Sequence, residues 1–294
     1  MAEIDDALTA ALATLPPKPG DEAPQAAKKR YSELVSQQVA LALGTELRRR
    51  GLKEARPGAG TETGAGAGAE RRMAGGLGAK KVDVTWATEE SGLLLGISVK
   101  TINFRDSKTR NFQKNLVNRR GDMLMEAVTL HRRFPYAVLA GLFFLDSEAA
   151  NDGTDKRRST FLNAHARLQL FTGRNDPADR EEQFERFYLI LLDSGQTGAA
   201  PETAAPPPPT PPTPAGQTDD LFATAPLVAA TPLTPSPLVG EGRGGGGTPL
   251  LRPFQVGTPD RELALGDILD DLLALVAQRN PDFYELRDGR LIPA

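Results

Sequence analysis

Asp83, Ser98 and Lys100 are the residues whose types and spacing suggest chemistry. The stretch "KKVDVTW" (80–86) alternates apolar and polar residues, and so does "GISVKT" (96–101). Such alternation reads as two strands, and the "ATEESG" between them reads as a turn. With that turn, Trp86 sits opposite Leu93 and Asp83 opposite Gly96. Residues directly opposed, or two apart along a strand, share a face. Asp83, Gly96, Ser98 and Lys100 are therefore expected on one face, with Gly96 leaving open space beside the carboxylate. A lysine is rarely buried unless it is paired or at work. A carboxylate that holds a divalent cation, with the Val99 carbonyl completing the coordination, suits phosphodiester hydrolysis. In such a site the lysine orients the attacking water and offsets charge developing on the phosphate.

Composition narrows the choice. The chain has no cysteine, which removes disulfides, thiolate zinc sites and a cysteine nucleophile. Its only histidines, His131 and His165, cannot build a multi-histidine centre, and both are read as packing or surface residues. Any metal must be held by oxygen, which points to Mg2+. The net charge is only -3, but its distribution is uneven. From 100 to 133 the cations are Lys100, Arg105, Lys108, Arg110, Lys114, Arg119, Arg120, Arg132 and Arg133, against Asp106, Asp122 and Glu126. A basic run beside the candidate site is what binding of a phosphate backbone requires. The longest apolar run (136–145) is too short for a membrane span, and the acidic start has no basic n-region of a signal peptide. The expected location is the cytoplasm.

The elements that must position these residues alternate. A helix is expected over 28–53, strands over 80–86 and 92–102, and an amphipathic helix over 111–133. A buried strand over 135–146, a helix closed by Gly173, and a last strand over 185–193 follow. This order predicts an α/β (α+β) fold, a central mixed β-sheet flanked by helices. The glycine-rich stretch before Lys80 lacks a P-loop pattern and is expected to be a flexible loop. Residues 1–27 are expected to be a flexible segment with one short helix before Pro16, and 194–259, rich in Pro and Gly, a disordered linker. Residues 260–294 read as a helix capped by Asp260 and a hairpin turning at Asp288-Gly289, docked on the main domain or on a second subunit.

From Lys28 to Asp146 the chain resembles the PD-(D/E)xK nuclease superfamily, which includes many type II restriction endonucleases. The resemblance rests on a helix, then "KKVDV", "GISVKT", a basic helix and an apolar strand. Two departures are plain: Val82 stands where proline often precedes the aspartate, and Ser98 stands where the family usually has Glu or Asp. Some restriction enzymes look similar, carrying Ser-x-Lys and taking the missing carboxylate from the following helix. Here that helix offers Asp122 and Glu126, and Glu33 on the first helix is another candidate. The resemblance implies a restriction-endonuclease-like core over 28–193 and a Mg2+-dependent DNA endonuclease. Asp83, Lys100 and Ser98 then belong to catalysis. The metal set is Asp83, the Val99 carbonyl, Glu126, Asp122 and Glu33, and Arg105, Lys108, Arg110, Lys114, Arg119 and Arg120 contact DNA. The implied partners are DNA, a second copy if cutting is two-fold symmetric, and a cognate methyltransferase in a restriction role. The alternative is a nuclease fold that binds DNA without cutting. A Ser98–Lys100 hydrolase dyad lacks a visible oxyanion hole. A scaffold acting through the Pro-rich segment is the remaining alternative.

Overall fold

The computed structural model describes residues 3–58, 71–194 and 249–294. In chain order the elements are α1 (Glu3–Ala13), α2 (Gln25–Arg49), β1 (Arg71–Gly75), β2 (Gly78–Val82), β3 (Val84–Thr88), β4 (Gly92–Ile102) and α3 (Gln113–His131). There follow β5 (Val138–Asp146), α4 (Thr160–Leu168), β6 (Arg186–Asp193), β7 (Leu250–Gln255), α5 (Leu265–Arg279), β8 (Tyr284–Arg287) and β9 (Arg290–Pro293).

Every residue of β5 is buried, and β4 and β6 nearly match it. Strands buried on both faces suit parallel pairing, which needs a crossover between neighbours. β4 pairs with β5 and β5 with β6 in parallel, and α3 and α4 lie in the two connections. Antiparallel β3 and β7 close the edges, giving a five-stranded mixed sheet in the order β3-β4-β5-β6-β7. Val138, Ala140, Leu142 and Phe144 of β5 pack on the side of α1, α2 and α5. Leu139, Phe143 and Leu145 pack on the side of α3 and α4.

Several expectations are corrected. The N-terminal segment, expected to be flexible, is docked from Glu3 on: its short helix is α1, and Ile4, Leu8 and Leu12 are buried in the core with α5. The expected linker 194–259 contains an edge strand, β7, with Phe254 and Val256 buried. The rest of that linker, 195–248, lies outside the described residues. The glycine-rich stretch ends in a β1–β2 hairpin rather than a loop, and 59–70 are likewise outside the described residues. α4 stops at Leu168 and passes into a 3-10 turn, so Gly173 (φ +97°) is a later turn residue and not its cap. Asp260 does not cap α5. Its N-cap is Ala264, and Asp5 of α1 accepts from the Leu265 and Gly266 amides at 3.0 and 3.4 Å. The terminal hairpin turns at Asp288 and Gly289, both at positive φ, as a tight Asp-Gly turn requires.

Candidate active site

The β3–β4 hairpin sets the geometry. Val84 opposes Ile97 and Thr85 opposes Gly96, and Leu94 is extruded as a bulge beside Trp86. The expected pairing of Asp83 with Gly96 is thus displaced by two residues, because the turn is tighter than six residues and the bulge takes up one. A shift of two preserves the face, whereas a shift of one would reverse it. Gly96 does not open space for Asp83: a Cβ there would meet Leu139 at 2.9 Å and Val82 at 3.6 Å.

Asp83 itself breaks the strand. Val82 packs toward α3 and Val84 toward α2, so the expected single face for Val82, Val84 and Trp86 is split. The chain before Asp83 leaves to pair with β1, so β3 does not extend beside Val99. The Asp83 carboxylate takes the missing strand's place and accepts from the Val99 amide at 2.7 Å. An extended residue presents its N–H and C=O to the same strand edge. The Val99 carbonyl therefore opens on the edge that Asp83 approaches.

On the other side of this edge, Lys100 reaches Asp83 Oδ2 at 3.4 Å and donates to Ser98 Oγ at 3.0 Å. Glu126 Oε2 lies 3.8 Å from Lys100 Nζ. Glu126 is on α3, on the arc that buries Met123, Ala127 and Leu130. Burial pushes its carboxyl above the ordinary glutamate range and the charge of Asp83 adds to this, while Lys100 and Ser98 oppose it. Lys80 also opposes the rise, but burial of Glu126 outweighs these cations.

The remaining residues are placed as follows. Asp122 lines the same small cavity, of about 410 Å³, as Lys100 and Glu126, but points to solvent and pairs with Arg119 at 3.8 Å. Glu33 is 65% exposed, pairs with Lys29 at 3.7 Å, and lines only a wider adjoining cleft of about 1210 Å³. Arg105, Lys114 and Arg119 also line that cleft. Arg105 is held by Glu148 at 3.3 Å, and Lys114 by Asp106 at 2.7 Å. The Asp106 carboxyl is held well below its usual range, with Lys114 the largest cause. Arg110 pairs with Glu22 at 2.8 Å, Arg120 stacks over Phe171, and Lys108 is exposed, and these three do not line the cleft. The basic run is thus less one-sided than its local count, because Glu22 and Glu148 come from distant segments.

Lys80 and Lys81 were not singled out from the sequence, yet both line the small cavity with Lys100. Their signal was there: they immediately precede the Val82–Asp83 break.

The chain matches no family model, no curated protein and no solved structure. The assignment of chemistry therefore rests on the site itself. Among the described residues no three acids or histidines converge as a metal-binding group. The oxygens that would be available to a divalent cation here are the Asp83 and Glu126 carboxylates and the Val99 carbonyl. That donor set fits Mg2+, which keeps several waters and takes one or two carboxylates.

Proposed function

We propose that the protein is a Mg2+-dependent DNA endonuclease of restriction type, with a restriction-endonuclease-like core. The observation that carries this reading is the buried Glu126 carboxylate beside Lys100 and Ser98. It supplies the second acid at the place where Ser98 leaves none. Asp83, Glu126 and the Val99 carbonyl would hold Mg2+, which supplies Lewis acidity and an acidified water. Lys100 orients that water and offsets charge on the phosphate. Ser98 accepts from Lys100 and so fixes the direction of the ammonium beside Glu126. Arg105, Lys114 and Arg119 line the path of the phosphate backbone.

On this reading the enzyme works in the cytoplasm. A symmetric cut requires a second copy of the chain, and sparing of the host genome requires a methyltransferase partner. Among the described residues no helix is long and apolar enough to cross a membrane.

The test is cleavage of supercoiled plasmid with Mg2+ and with EDTA. Asp83→Ala, Lys100→Ala and Glu126→Gln should each lower the rate by about 100-fold or more. Full-rate cutting by Glu126→Gln would overturn the assignment. A second reading, a nuclease fold that binds DNA without cutting, is favoured by the Asp83–Lys100 pair, which partly satisfies both groups without a metal. It predicts salt-sensitive binding that is indifferent to Mg2+ and no products.

A further inference from the structure

The wide cleft has two unlike walls. On the α3 side its cations Arg105, Lys114 and Arg119 are each held by an acid. The α2 side presents Gln25, Ser32, Ser36 and Gln37 together with Lys28, Lys29 and Glu33, and Lys28 donates to the Asp21 carbonyl at 2.9 Å. Gln25, Ser32 and Ser36 recur at steps of seven and four and so lie in line along α2, with Gln37 one residue round the helix. Tyr31, Val35 and Val39 are buried along the flank of that line, and Leu43 continues it into the core. Lys29 on the cleft side is offset by Glu33 at 3.7 Å. Ser32 accepts from Asn103 at 3.3 Å. Gln25, Ser36 and Gln37 make no hydrogen bond to another described residue.

Unengaged amides and a hydroxyl neutralise no phosphate. They can pair with base edges: a glutamine amide is matched bidentately by adenine N6 and N7, and serine serves any base. From Gln25 to Gln37 the helix rises about 18 Å, at 1.5 Å per residue. That is roughly five base-pair steps at 3.4 Å each. Ser36 also lines the small cavity with Lys100 and Glu126, so the stripe starts beside the reacting phosphate.

We infer that α2 is the sequence-reading wall of the cleft, with Ser36 and Gln37 contacting bases nearest the scissile bond and Gln25 those further off. The inference rests on the nuclease reading for its substrate. The α3 wall, with Lys28 and Lys29 of α2, then holds the backbone, and the neutral side chains of α2 carry the specificity.

The test separates this inference from cleavage. The full chain, in EDTA so that no cutting proceeds, is used to enrich duplexes from a random library. The parent should enrich a motif. Gln37→Ala, and separately Ser36→Ala, should lower discrimination at one or two positions of that motif by roughly 5- to 100-fold. The slope of log affinity against log salt should stay that of the parent, because a neutral side chain releases no counterion. A motif identical in parent and variants, no motif at all, or a uniform loss of affinity with a shallower salt slope would each overturn the inference. Failure of the parent to cut its own enriched duplex with Mg2+ would overturn the nuclease reading and leave the reading wall standing.

Discussion

Glu126 and Glu185 are both buried, both face cations, and are set up in opposite ways. Glu185 lies just before β6 with no exposed side-chain surface. Its Oε1 accepts from Arg174 at 3.0 Å and Arg279 at 2.7 Å. Its Oε2 accepts from the Leu139 amide at 2.6 Å and contacts His131 Nε2 at 3.3 Å. Burial pushes this carboxyl up, but His131, Arg279 and the amide outweigh it and the net direction is down. Glu126 has Lys100 at 3.8 Å, and Ser98 and Lys80 also favour its charged form, but burial outweighs them and its net direction is up. A carboxylate whose oxygens are both saturated is a structural tie, here joining α5 to β5 and β6. One left short of donors beside a cavity is available to a ligand.

The strongest test of this contrast is Glu185→Gln. It leaves two buried guanidinium groups without a countercharge and should cost about 3–5 kcal/mol in urea unfolding. A loss below 1 kcal/mol would break the comparison. His165 carries the same rule to a base. It is buried against the edge of Phe161, accepts from the Gly257 amide at 3.1 Å, and has Asp260 as its nearby charge. Burial lowers its pKa to about 4 from 6.5. As pH falls from 6.5 toward 4 the unfolded chain takes up a proton that the folded chain refuses, so stability is lost across that window. The loss should reach about 2–3 kcal/mol, and His165→Gln should flatten it relative to the parent in paired melts at pH 7 and 4.5. Glu126→Gln should act the other way. A raised carboxyl pKa means that stability is lost as pH rises through it, so this variant should melt higher than the parent at pH 8 while losing cleavage. Least affected is Glu33→Gln, in an exposed pair, which should stay within about 0.5 kcal/mol and cut as the parent does.

What could be read from the chain alone follows from how local each signal is. The alternation in β4, the unbroken apolar run of β5 and the arc of α3 each depend on adjacent residues, and each forms where expected. β7 was hidden because "LLRPFQ" contains Pro253 and follows a Pro/Gly-rich stretch. An edge strand tolerates proline, since one side of its backbone has no partner. The short helix expected before Pro16 forms as α1, but its docking is not legible locally, because part of its packing surface is α5, far away in sequence. Spacing placed Asp122 and Glu126 one turn apart on α3 but could not choose between them. The choice is made by the rotation of α3 on the sheet, which buries Glu126 and leaves Asp122 outside. The Leu94 bulge has no local signature, so the register could be read only to within two residues.

Asp193 and Leu250 are direct partners on β6 and β7. In terms of chain topology the two strands close as antiparallel neighbours at that pair, and closure entropy grows only logarithmically with the length of chain between two paired strands, at about 0.6 kcal/mol per doubling. Exchanging Gly195–Thr248 for a short glycine turn leaves every described pair of β6 and β7 in the chain. The boundary matters, because an excision carried on to Gly257 removes the edge strand, the Val256 amide bond to the Phe187 carbonyl and the amide that His165 accepts.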